Sequence, residues 1–220
     1  MSQQSANPGV PPSYPAALRI DYPDRPLNRL TSFFRIFTVI PIAIIISLLS
    51  GGSTWQRWSE HSEGWQAAPY IGGSIFVALV LMILFRKKYP KWWFDWNLAL
   101  TRFSYRVYTY LLLLRDEYPS TDEEQAVHLD LTYPDAQNQL GRGWPLIKWF
   151  LAIPHLVVLA FLAIAVFWVS VFAWFAILFT GRYPRGLFDF TVGFFRWILR
   201  VSAYAFLLIT DKYPAFSLEP

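Results

Sequence analysis

The chain has no cysteine among its 220 residues. That excludes disulfides, thiolate nucleophiles and cysteine metal sites, and it leaves the redox compartment open. Charge is scarce as well: Asp, Glu, Lys and Arg make up 15% of the chain, against about 25% in soluble domains. No Gly-rich phosphate loop is present, and Ser170 and Ser202 have no neighbouring base to make either a nucleophile. Asp122-Glu123-Glu124 reads as the solvated end of a linker. His61, His128 and His155 share no metal-ligand spacing. Residues 1–16 are polar and Pro-rich with no apolar stretch. They form no cleavable signal peptide and are expected to be a disordered tail.

What fills the chain instead is apolar. Hydrophobic residues make up 55% and aromatic residues 19%, which points to an integral membrane protein. Leu146 to Phe179 is interrupted only by Lys148, Pro154, His155 and Ser170. As a helix, its ~34 residues would reach roughly 50 Å, against a hydrocarbon core of about 30 Å. It is therefore one overlong helix or a hairpin of two short crossings.

Internal similarity favours the hairpin. Ile20-Asp21-Tyr22-Pro23-Asp24 matches Leu131-Thr132-Tyr133-Pro134-Asp135. Arg35 and Pro41 match Lys148 and Pro154; Tyr89-Pro90 matches Tyr183-Pro184; Asp116 matches Asp211. Such matches divide the chain into repeats at 17–125 and 126–220. In the first, Thr31–Leu49 and Tyr70–Phe85 are the expected crossings, separated by a Trp-rich loop over Gly51–Pro69. In the second, Trp144–Ala163 and Ile164–Phe179 are their counterparts, with the turn at Ile164–Trp168. Basic residues at Arg25, Arg29, Arg86–Lys91, Arg182 and Arg185 then fall on one side, which the positive-inside tendency makes cytoplasmic. Each half also opens on a short alternating stretch, Ala17–Tyr22 or Val127–Tyr133, with the period of a surface strand ended by Tyr-Pro.

The third segment of each half, Trp92–Leu114 and Leu187–Ile209, carries charge inside an apolar pattern. Asp95, Arg102 and Arg106 stand at i, i+7 and i+11, on one helical face, and Asp189, Arg196 and Arg200 repeat the spacing. Two mid-segment arginines suit a helix lying in the interface better than one crossing it. Guanidinium groups fit phosphates bidentately, so Arg102, Arg106, Arg196 and Arg200 are the candidate sites for anionic lipid headgroups. Asp95 and Asp189 are their candidate ion-pair partners. His155 is expected to be a neutral packing residue.

The expected fold is thus an all-α integral membrane protein of two tandem same-orientation repeats. Each repeat has two transmembrane helices, one interfacial amphipathic helix and short surface β-strands. The expected location is a cell membrane, multi-pass, with both termini cytoplasmic. The residues Phe-Thr-Gly-Arg-Tyr-Pro-Arg-Gly-Leu-Phe-Asp-Phe at 179–190 and Thr-Asp-Lys-Tyr-Pro at 210–214 resemble a prokaryotic membrane-protein family, domain-of-unknown-function family 4389. The resemblance extends to both halves, although the first has Arg86-Lys87-Lys88 where the second has Thr180-Gly181-Arg182. It implies membrane location and prokaryotic origin, and no activity. The functional expectation is a non-enzymatic scaffold or accessory subunit of a membrane complex. Its partners would be anionic lipids and either another membrane protein or a second copy; no cofactor, metal or nucleic acid is implied. The alternative is a small transporter or channel using Thr38, Ser47, His155 and Ser170. A lipid-modifying enzyme comes third, without a catalytic set.

Overall fold

The computed structural model describes residues 14–49, 79–121, 123–136, 140–141 and 143–219, without the side chains of 36, 43 and 45–49. The expected tail up to residue 13, the 51–69 loop with His61, most of the 70–85 crossing, and the Asp122 and Ser47 side chains lie outside the described residues.

Strand β1 (Ala16–Ile20) pairs antiparallel with β2 (Val127–Leu131), Leu18 opposite Leu129. Alternation sets the two faces of this ribbon. Leu18, Ile20, Val127 and Leu129 are buried, whereas Arg19, His128 and Asp130 are exposed. The helical elements are α1 (Arg29–Leu49), a π-helical turn α2 (Met82–Arg86), α3 (Lys91–Leu111), α4 (Trp144–Thr180) and α5 (Arg185–Ala205). The ribbon lies on the α3/α5 pair, β1 against α5 and β2 against α3. α1 packs on α3 and α4 on α5, and α1 also touches α4.

Local chemistry explains the helix ends. Pro90 and Pro184 hold extended backbone immediately before α3 and α5. A proline there has no N–H that the first turn would leave unpaired. α4 stops at Gly181, whose positive φ of 73° closes the helix and sends its N–H to the Ile177 carbonyl at 2.7 Å. Lys87 adopts the same left-handed conformation after α2, with φ 47°. The Lys-for-Gly difference between the halves therefore does not change the turn.

The contacts come in reciprocal pairs. The Tyr22 hydroxyl donates to the Tyr183 carbonyl, and the Tyr133 hydroxyl donates to the Tyr89 carbonyl at 2.6 Å. The deepest polar contacts match in the same way. Arg35 pairs with Asp116 and donates to the Arg115 carbonyl at 2.8 Å. Lys148 pairs with Asp211 at 2.7 Å and donates to the Thr210 carbonyl at 2.7 Å. Each cation lies over a tyrosine ring, Arg35 over Tyr110 at 4.3 Å and Lys148 over Tyr204 at 5.2 Å. Each carboxylate also accepts a backbone N–H preceding a long helix, from Asn28 at 2.6 Å and from Gly141 at 2.7 Å. Each buried cation thereby meets a counter-charge and a backbone carbonyl within the fold, while Arg35 Nε has no partner among the described residues.

Two expectations are corrected here. Leu146 to Phe179 is no hairpin: α4 is one 37-residue helix, and Ile164–Trp168 lies inside it. No Gly, Asn or Pro interrupts it after Pro154, and its buried positions, Lys148, Ala152, His155, Leu159, Val166, Ala173 and Ile177, keep one stripe throughout. Such a stripe is continuous only if the helix is. Among the described residues α4 alone is long and apolar enough to cross a membrane. The structure therefore does not have the four-crossing, all-α membrane fold of two same-orientation repeats, while the short strands expected at its surface are present and pair into a two-stranded sheet.

The Lys148–Asp211 pair is a test of this arrangement. Asp211→Ala would leave Lys148, fully buried, without its counter-charge, at an expected cost of about 3–5 kcal/mol. Adding Lys148→Met should recover most of that loss. Denaturant unfolding in detergent micelles measures both variants, and equal losses would show that the pair is uncoupled.

Candidate lipid-facing surface

Of the arginines singled out by spacing, two bond the ribbon strands, one the segment ahead of β2 and one the C-terminal segment. Arg196 Nε donates to the Leu18 carbonyl of β1 at 3.0 Å. Its counterpart Arg102 donates from Nε to the Leu129 carbonyl of β2 at 2.8 Å and pairs with Asp130 at 3.0 Å. Arg106 donates to the Ser120 carbonyl at 2.7 Å, and Arg200 to the Ser217 carbonyl. Burial pulls Arg196 and Arg200 below the ordinary arginine value, an effect that the Asp189 charge opposes at Arg196. Both remain cationic at neutral pH. Asp95 and Asp189 are exposed. The acid paired with Arg102 is Asp130 on the strand, which the i, i+7 spacing on one helix could not reveal.

His155 is the other candidate. Trp197 Nε1–H donates to its Nδ1 at 3.1 Å, so Nδ1 is the acceptor. Its ring stacks on Phe216 with centroids 3.9 Å apart and planes 16° apart. These contacts hold the C-terminal segment against α4. The hydroxyls considered for a polar path are taken locally: Ser170 donates to the Val166 carbonyl at 2.8 Å, and Thr38 bonds Tyr110 at 2.8 Å. No group of three His, Cys, Asp or Glu suited to a metal occurs among the described residues.

Two concave sites remain. A polar recess of about 330 Å³ is lined by Arg25, Arg115, Asp116 and Glu117. Its charges are largely matched, Arg115 with Glu117 and Asp116 with Arg35. An apolar groove of about 640 Å³ runs beside the start of α4, between Leu81, Trp149, Ile153 and Phe206.

The larger feature is convex. Opposite its buried stripe, α4 presents Leu146, Phe150, Phe161, Ile164, Phe172 and Phe179 outward, and the four phenylalanines are 63–79% exposed. Only 17% of the helix's most apolar 18-residue window is buried. An apolar surface of that extent does not face water in a soluble monomer. At the end of α4 stand exposed Arg29, Arg182 and Arg185; the Arg29 guanidinium donates to the Phe179 carbonyl at 3.2 Å. Sequence reasoning found the apolar run but missed which side of it is covered. The signal was available in the three-and-four spacing of Lys148, Ala152, His155 and Leu159.

Residues 145–217 match the family model described as a domain of unknown function, DUF4389. That span holds α4, α5 and the C-terminal segment that closes over Lys148 and His155. No curated protein and no solved structure matches the chain.

The arginine contacts have a measurable consequence. Arg196→Gln should remove a charge-assisted bond worth about 1.5–3 kcal/mol, and amide exchange should quicken in β1 before it quickens in α4. Uniform acceleration across the chain would show that Arg196 does not hold the ribbon.

Proposed function

We propose that the protein is a non-enzymatic, membrane-associated scaffold or accessory subunit that contacts anionic lipids. The observation that carries this reading is the exposed apolar face of α4, bordered at one end by Arg29, Arg182 and Arg185. Acyl chains take the apolar face, and headgroup phosphates meet the guanidinium groups. Positive charge beside a membrane segment favours the cytoplasmic face, and the resemblance to a prokaryotic family supports reading that membrane as a prokaryotic plasma membrane. The reciprocal tyrosine and cation–aspartate contacts support reading residues 17–125 as a diverged second copy of the motif matched at 145–217. A partner protein or a second copy would dock on the same assembly. The described groups of the transporter reading, Thr38, His155 and Ser170, are engaged in contacts within the fold and offer that reading no support.

Vesicle flotation tests the proposal. The purified chain should float with vesicles containing anionic lipid, and the anionic preference should shrink as salt rises, since exposed charges are screened over about 10 Å near 0.1 M. Arg182→Gln with Arg185→Gln should reduce that preference. Failure to float with any vesicle would end the membrane reading. A second variant carrying Gln at Arg102, Arg106, Arg196 and Arg200 separates two roles. Lost ribbon protection with unchanged lipid retention assigns these four to the ribbon alone.

A further inference from the structure

We infer that α4 does not cross the bilayer but lies along it, with its exposed face in the acyl region of a single leaflet. This inference rests on the membrane reading above and specifies its geometry.

Length is the first ground. At about 1.5 Å per residue, 37 residues make a rod of about 55 Å, and spanning a 30 Å core with it would need a tilt of more than about 50°. Crossing helices tilt by about 40° at most.

The tethering of the two ends is the second ground. At its start, Lys148 is bound to Asp211 and Thr210. At its end, the Gly181 carbonyl accepts the Leu27 N–H at 2.8 Å, and Tyr183 is held by Tyr22. A single segment, β1 with its flanks, touches both neighbourhoods. Tyr14 donates to the carbonyls of Arg200 and Lys212 at 3.1 and 3.2 Å, next to the Lys148 end, and Tyr22 reaches the Tyr183 end. The ribbon thus runs alongside α4. Its outer face carries Arg19, His128 and Asp130, all exposed, and no third strand pairs with it among the described residues. A ribbon with a charged outer face has no place inside hydrocarbon. If α4 stood across the membrane, the ribbon would stand there with it. Laid flat, α4 turns its phenylalanines to the acyl chains while α5 and α1 cover its other side.

The occupant of the exposed face is therefore lipid. The basic side chains at the end of α4 and the exposed Lys88 and Lys91 suit an anionic leaflet.

Because the chain has no cysteine, single-cysteine variants can report depth without background. Phe150→Cys, Phe161→Cys, Phe172→Cys and Phe179→Cys would each carry an environment-sensitive dye. The labelled proteins would be bound to preformed phosphatidylglycerol/phosphatidylcholine vesicles containing lipids quenched at known acyl positions. All four should report one shared depth, in the outer leaflet, and dithionite added outside should bleach all four dyes. A depth profile that is deepest at Phe161 and rises at both ends, or a site at either end protected from dithionite, would overturn the inference while leaving membrane binding intact. Dyes that no lipid quencher reaches, on protein that floats, would assign the face to a second copy and overturn it as well. Protein that does not float fails the underlying reading instead. Quenching of the native tryptophans in the unlabelled chain checks that labelling has not moved α4.

Discussion

Two cations, Arg35 and Lys148, stand where the long apolar helices meet the polar part of the molecule, and the rest of the arrangement depends on how they are satisfied. Neither has bulk water to solvate it. Each takes a tyrosine face from the last turn of α3 or α5, and a carboxylate and a backbone carbonyl from the segment that follows it. That requirement ties the exit of each amphipathic helix to the entry of each apolar one. The same carboxylate then holds the backbone ahead of the apolar helix. A lone buried charge would destabilise the fold by several kcal/mol, so the node forms complete or not at all.

The ribbon extends this logic to the other face of α3 and α5. Five residues a side make too little contact to be stable alone. Arginine donors supply the missing interactions by bonding strand carbonyls, Arg196 to β1 and Arg102 to β2. Tyrosine hydroxyls finish the ends. Burial raises Tyr89 and Tyr14 above the ordinary phenol value, so both stay protonated and act as donors. A charged, hydrogen-bonded tier is thereby fixed to an apolar one, and the proposed lipid contact would set headgroups at the border between them.

Function follows from what that construction leaves uncovered. The chain buries one stripe of α4 with its own residues and exposes the opposite stripe along the whole helix. His155 meets Trp197 through Nδ1 and Phe216 through its ring face, and Ser170 bonds its own helix. The uncovered apolar face is the surface that the proposed attachment to lipid would use.

Much of this was legible locally. Alternation placed both strands, Tyr-Pro marked where they end, and matched residues such as Arg35 with Lys148 and Asp116 with Asp211 identified positions that take the same contacts. These features repeat because backbone geometry and proline stereochemistry act over a few residues. The sequence by itself determined an apolar run from Leu146 to Phe179 and two helices bearing paired arginines. Only the tertiary structure decided that the run is one helix, since a turn without Gly or Asn is neither required nor forbidden by local chemistry. It alone decided that the arginines bond strand carbonyls, because Leu18 and Arg196 are 178 residues apart. Spacing along one helix states which side chains share a face; what that face meets depends on remote segments competing to satisfy the same buried charge and cover the same apolar surface.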